Sequence, residues 1–89
     1  MKLEKLINIL GDTLEKTLVI KRELKADTTF KAYKTYKIIL YEVIPKSAPI
    51  EICGCQITDK IIDSNKEAII AKAENEFIKK LFEVYVHRD

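Results

Sequence analysis

Residues 64–86, SNKEAIIAKAENEFIKKLFEVYV, decide the fold. Ser64 and Glu67 have the spacing of a capping box, in which each side chain takes a backbone N–H that the first helical turn leaves open. Ile70, Ala73, Phe77, Leu81 and Val84 then recur every three or four residues, the period of an amphipathic helix. At 1.5 Å per residue such a helix is about 35 Å long. It needs a broad apolar surface to cover, and the upstream sequence supplies a sheet.

The strongest strand signal is residues 36–44, YKIILYEVI, within a stretch from 30 to 44 rich in aromatic and β-branched types. Residues 16–24 read as an earlier strand, with Leu18, Ile20 and Leu24 on one face and Val19 on the other. A polar loop over 25–29 separates the two. Pro45 and Pro49 bracket a turn, because proline cannot sit in a central strand. Residues 50–58 form a third strand, with Ile50, Ile52, Gly54 and Gln56 on one face and Glu51, Cys53, Cys55 and Ile57 on the other. Before the sheet, Leu3, Leu6, Ile7 and Leu10 mark a helix over 2–10 that Gly11 would end; the alternative is a longer helix running through Leu14 and Leu18. The expected fold is α+β: α-β-β-β-α order, with a three-stranded antiparallel sheet and the long C-terminal amphipathic helix packed on it.

The 89 residues make a single domain over 1–89. Hydrophobic residues make up 47% and charged residues 34%, which excludes a disordered chain. A net charge of +2 is too small to announce a polyanion partner. Its distribution says more: residues 21–37 hold six basic groups against Glu23 and Asp27, an excess of +4, while the rest of the chain is balanced or acidic. No apolar run reaches the length of a membrane span, so no membrane is expected. Glu4 and Lys5 interrupt the N-terminal apolar stretch, against a signal peptide, and a cytoplasmic location is the expectation.

Three features break the pattern. The C-terminal helix is apolar over roughly 220° of its circumference at 100° per residue, more than one sheet contact needs. The middle strand is apolar on both faces, with Ile39, Tyr41 and Val43 opposite Tyr36, Ile38 and Leu40. Either the two helices take opposite faces of the sheet, or the second face is an interface. Glu74 sits inside the helix's apolar arc, where a lone carboxylate is expensive. It is expected to reach the edge or to pair with a Lys or a Tyr hydroxyl, with a functional carboxylate as the other reading.

Overt chemistry is sparse. Cys53-Gly54-Cys55 offers two thiols where a zinc site wants four ligands, and His87 is remote at the chain end, so two small buried hydrophobic side chains are expected and no metal or cofactor. No glycine-rich phosphate loop, nucleophile elbow or paired histidine is present, and no catalytic residue is assigned. The element order and length resemble those of the double-stranded-RNA-binding domain, which implies a similar fold. That family opens its last helix with a basic Lys-Lys-x-Ala-Lys run. Here the matching stretch is Asn65-Lys66-Glu67-Ala68-Ile69, in which only Lys66 and Ala68 fit. The family's first strand-to-strand loop carries Gly-Pro and His, against Lys25-Ala26-Asp27-Thr28-Thr29 here.

The sequence therefore points to a small non-enzymatic interaction module that associates with itself, as a homo-oligomer, or with another protein. Its expected interface is Ile39, Tyr41, Val43, Phe82 and Tyr85. The alternative partner is nucleic acid. Lys21, Arg22, Lys31, Lys34 and Lys37 would meet phosphates, and Tyr33 would stack on a base.

Overall fold

A computed structural model describes residues 2–26 and 32–85. Helix α1 spans Leu3–Leu14 and strand β1 Leu18–Ala26; β2 spans Lys34–Glu42, β3 Ile50–Asp59, and helix α2 Lys66–Tyr85. The strands form one antiparallel sheet in the order β1-β2-β3. This is the α+β arrangement expected, with the long C-terminal helix packed on the sheet.

The core lies on one face of that sheet. Tyr36, Ile38 and Leu40 of β2 pack with Leu3 and Ile7 of α1 and with Ala73, Phe77 and Leu81 of α2 in a single cluster. Ile61, from the β3–α2 connection, belongs to the same cluster. Ile38, Leu40 and Phe77 have no exposed surface. Burial of a side chain as large as Phe77 contributes about 2–3 kcal/mol, so these three supply much of the driving force of a small domain. The helices do not divide the two faces between them: both take the side of Tyr36, Ile38 and Leu40. The second face of the middle strand is left without a helix.

Helix α1 continues past Gly11 and ends at Leu14, between the two lengths the sequence allowed. Glu15 adopts the left-handed conformation that closes it, at φ 55° and ψ 43°. The Lys16 N–H donates to the Gly11 carbonyl at 2.9 Å and the Glu15 N–H to that of Asp12 at 3.3 Å, which satisfies two carbonyls the helix end leaves open. Gly11 is needed for space: a Cβ there would stand 2.9 Å from the Lys16 carbonyl oxygen.

The start of α2 also differs from expectation. The capping box does not form. Asn65, one position on, accepts the Ile62 N–H through Oδ1 and donates through Nδ2 to the Lys60 carbonyl, both at 2.8 Å. Asn65 can do this because an amide is donor and acceptor together, whereas the Ser64 hydroxyl is too short to span both groups.

In β3 the two-residue alternation fails once. The β2–β3 register shifts between Leu40 and Tyr41, so that Cys53 pairs with Leu40 but Glu51 pairs with Tyr41, and Ile52 is the extra residue of a bulge. Cys53, Cys55 and Ile57 share the helix side as expected. The grouping of Glu51 with them, and of Ile52 with Gly54 and Gln56, does not hold. Ile52 packs against the core, and the Glu51 carboxylate is spared burial beneath the helices.

Candidate interaction surface

The face of the sheet turned away from both helices carries Val19, Lys21, Glu23 and Lys25 from β1, Lys37, Ile39 and Tyr41 from β2, and Gly54, Gln56 and Thr58 from β3. Strand alternation puts them there, as the alternate residues of each strand are those of the core. Ile39 is central. It lies between Lys21 and Gly54 in register and is 8% exposed without belonging to the core cluster. Toward the β1 start the face turns apolar: Val19 and Val43 are 45% and 39% exposed. With Tyr41, Pro49 and the edges of Ile20 and Lys21 they line a shallow depression of ≈ 460 Å³. Toward the other end the face is charged, with Glu23 between Lys21 at 3.2 Å and Lys25 at 3.4 Å, and Thr35 and Thr58 bonded to one another across the strands at 2.8 Å.

Of the five interface residues expected from sequence, three converge here: Ile39, Tyr41 and Val43. Phe82 and Tyr85 lie on α2, across the sheet. Phe82 is 48% exposed, at one margin of the helix's wide apolar arc, and Tyr85 packs against the core. Ile69, Ile70 and Ile78 also pack against the core, so most of the 220° arc is consumed within the chain. Sequence reasoning missed Val19 and Pro49. The signal for Val19 was present: it is an apolar residue on the otherwise charged side of β1.

The basic set does not assemble. Lys21 and Lys37 stand on the open face around Glu23, which is the register partner of Lys37. Arg22 points the other way, to the helix side, where it donates to Glu4 of α1 and, at 2.8 Å, to Glu74 of α2. Lys34 alternates with Tyr36 onto the helix side. Tyr33 precedes β2 at the hairpin end, with Lys60 Nζ 5.7 Å from its ring centroid. Lys31, Phe30 and His87 lie outside the described residues.

Arg22 resolves the Glu74 anomaly: the side chain stays 31% exposed, in keeping with the expectation that it reaches the edge, and its partner is an arginine where the other expectation was a lysine or a tyrosine hydroxyl. The hydrogen bond from Arg22 holds the Glu4 carboxyl below its ordinary value. The bonds that Arg22 donates to Glu4, and then to Glu74, hold the guanidinium above its own ordinary value against the opposing effect of burial. Tyr36, buried beside them, has its hydroxyl pushed up by desolvation. This is a structural tie among three elements.

Cys53 and Cys55 are free thiols on the helix side, half-buried and buried. Burial raises both thiol pKa values, only partly opposed by Lys80. The Cys55 Sγ donates to Glu76 Oε2 at 3.6 Å. A thiol held protonated is a poor nucleophile and a poor metal ligand. Among the described residues no group of three or more His, Cys, Asp or Glu converges as a metal site, and no helix is long and apolar enough to cross a membrane. Comparison with protein-family models, with curated proteins and with solved structures gives no match to this chain.

Proposed function

We propose that this chain is a small non-enzymatic interaction module that recognises protein, a second copy or another chain, through the open face of its sheet. One observation carries this reading. Both helices pack on the same side, so an apolar patch of Val19, Tyr41, Val43 and Pro49, beside the buried Ile39, is left at the surface. An apolar surface rimmed by charge is the anatomy of a protein interface, with its apolar centre and polar rim. The basic residues support nucleic acid less well, because they divide between two faces and Lys21, Lys25 and Arg22 are held by carboxylates.

The test is photo-crosslinking in cells that make the protein, with the reactive amino acid placed at Val19 or Val43 and, as control, at the exposed Lys79 of α2. Discrete protein adducts are expected from the two face positions and not from Lys79. Adducts from Val19 are expected to disappear in a Val43→Lys background. An adduct of twice 10.3 kDa identifies a second copy, and any other mass a different chain. No adduct from either face position above the Lys79 level would falsify the reading.

A further inference from the structure

The two edges of the sheet are finished differently. On β3 the free edge is interrupted by the bulge at Ile52, and the Gly54 carbonyl, which points outward, is taken by Lys80 Nζ at 2.9 Å. Both devices hinder the addition of another strand. On β1 there is neither. The β1–β2 register runs without a shift from Leu18 to Ala26. The Val43 N–H donates to the Thr17 carbonyl at 2.9 Å, which fixes the alternation: Thr17, Val19, Lys21, Glu23 and Lys25 turn their backbone groups toward β2. Those of Leu18, Ile20, Arg22 and Leu24 therefore face outward. Among the described residues no backbone or side-chain group bonds them.

Charge decides what fits this edge. Lys21 and Glu23 stand on the same face two residues apart. If a second β1 runs antiparallel with the twofold axis through Arg22, each Lys21 lies opposite Glu23 of the second copy. Ile20 lies opposite Leu24 of the second copy, and the outward-facing backbone groups meet in register. Centred on Ile20, the pairing sets Lys21 against Val19 and Glu23 against Thr17. Centred on Leu24, it also sets opposite charges together, Glu23 against Lys25, but pairs only residues 22–26 of the strand Leu18–Ala26. Only the Arg22 register sets both Lys21 and Glu23, which already pair within the chain at 3.2 Å, against opposite charges of the second copy over the whole of β1. Cross-strand pairs of opposite charge stabilise and like pairs oppose. The two Arg22 side chains that meet at the axis are each already held by Glu4 and Glu74. The charges that ordinarily blunt an edge strand thus become self-complementary in one arrangement.

We propose that the chain forms a twofold dimer in which the β1 edges pair, antiparallel and centred on Arg22, into one six-stranded sheet. This goes beyond the face reading: the Val19–Tyr41–Val43 patch stays open, once on each copy.

The test is solution mass by sedimentation or light scattering. Wild type is expected at twice 10.3 kDa. Lys21→Glu alone and Glu23→Lys alone are each expected at the monomer mass, with unchanged circular dichroism. Mixed in equal amounts the two variants are expected to restore the dimer, since Glu at 21 and 23 of one chain then faces Lys at 23 and 21 of the other. Leu24→Pro removes an N–H that β2 does not use, and it is expected to abolish the dimer as well. Should that variant fail to fold, the mixing experiment decides. Val43→Lys is expected to leave the dimer intact. A wild type that remains monomeric at about 1 mM, or a mixture that remains monomeric, overturns the edge dimer and leaves the face reading untouched. Loss of the dimer in Val43→Lys, with no rescue on mixing, assigns self-association to the face.

Discussion

Arg22 is the residue whose role was hardest to foresee. Its place in a basic run suggests a phosphate ligand, yet it faces the helices and joins Glu4, β1 and Glu74. Sequence periodicity puts it on the face of Ile20 and Leu24, but only the tertiary approach of two helices supplies its partners. Replacement by Met should keep the aliphatic stem and lower stability at neutral pH by about 1 kcal/mol, the size of a small, partly exposed charge network. The pH dependence has a definite sign. A depressed carboxyl such as Glu4 contributes stability above its unfolded-state value and loses it as pH falls through the folded-state value. Denaturant curves of wild type and Arg22→Met should therefore differ at pH 7 and converge in acid; a gap that persists in acid would show that packing, not charge, is what Arg22 provides. The two cysteines read from sequence as small buried residues on one shared face; Cys55 is buried and Cys53 half-buried, because strand alternation gives the shared face but not the side the helices take. Their raised pKa values make the native protein slow toward a thiol reagent at neutral pH, with both groups reacting rapidly once it is unfolded. Rapid native labelling of Cys55 would contradict its burial.

The five elements and their order could be read from periodicity, because each exceeds the length at which a pattern of 3.6 or 2 is unambiguous. Their ends could not, because ends are set by what packs against them. Gly11 reads as a helix terminator, but the chain uses it three residues earlier than the end, as the place where the Lys16 carbonyl folds back. Gly11→Ala gains helix propensity of about 0.5–1 kcal/mol. It also drives a methyl onto a backbone oxygen, which cannot swing aside as a side chain can, at a cost of about 1–3 kcal/mol. A net loss near 1 kcal/mol is expected in urea unfolding, and a gain would show that the turn after α1 yields easily. At the other helix, the capping-box spacing of Ser64 and Glu67 is overridden by Asn65, which bonds both a donor and an acceptor of the preceding turn. Asn65→Ala should lower stability by about 1–2 kcal/mol, while Ser64→Ala should stay within about 0.5 kcal/mol. The reverse order would restore the capping box.

For the molecule as a whole, sequence showed that β2 is apolar on both faces but not which face each helix would take. That choice depends on how α1 meets the finished sheet, and no local pattern encodes it. Both helices on one side give a single core with Phe77 in it and leave apolar surface exposed, including the open sheet face and Phe82. A chain of this size has roughly 5–10 kcal/mol of stability in total. Phe77 and Phe82 are the same residue type on one helix, five positions apart, with 0% and 48% of their surface exposed. Truncating Phe77 to Ala opens a cavity in the core and should remove about 3–5 kcal/mol, enough to leave the variant barely folded at room temperature. Truncating Phe82 to Ala removes a side chain already half in water and should change stability by under about 1 kcal/mol. Paired urea titrations at low protein concentration check the contrast. If the Phe82 loss instead approaches that of Phe77 and grows with protein concentration, Phe82 is covered by a second molecule in solution. The margin of α2 would then join the open sheet as a contact surface, as the width of the helix's apolar arc first suggested.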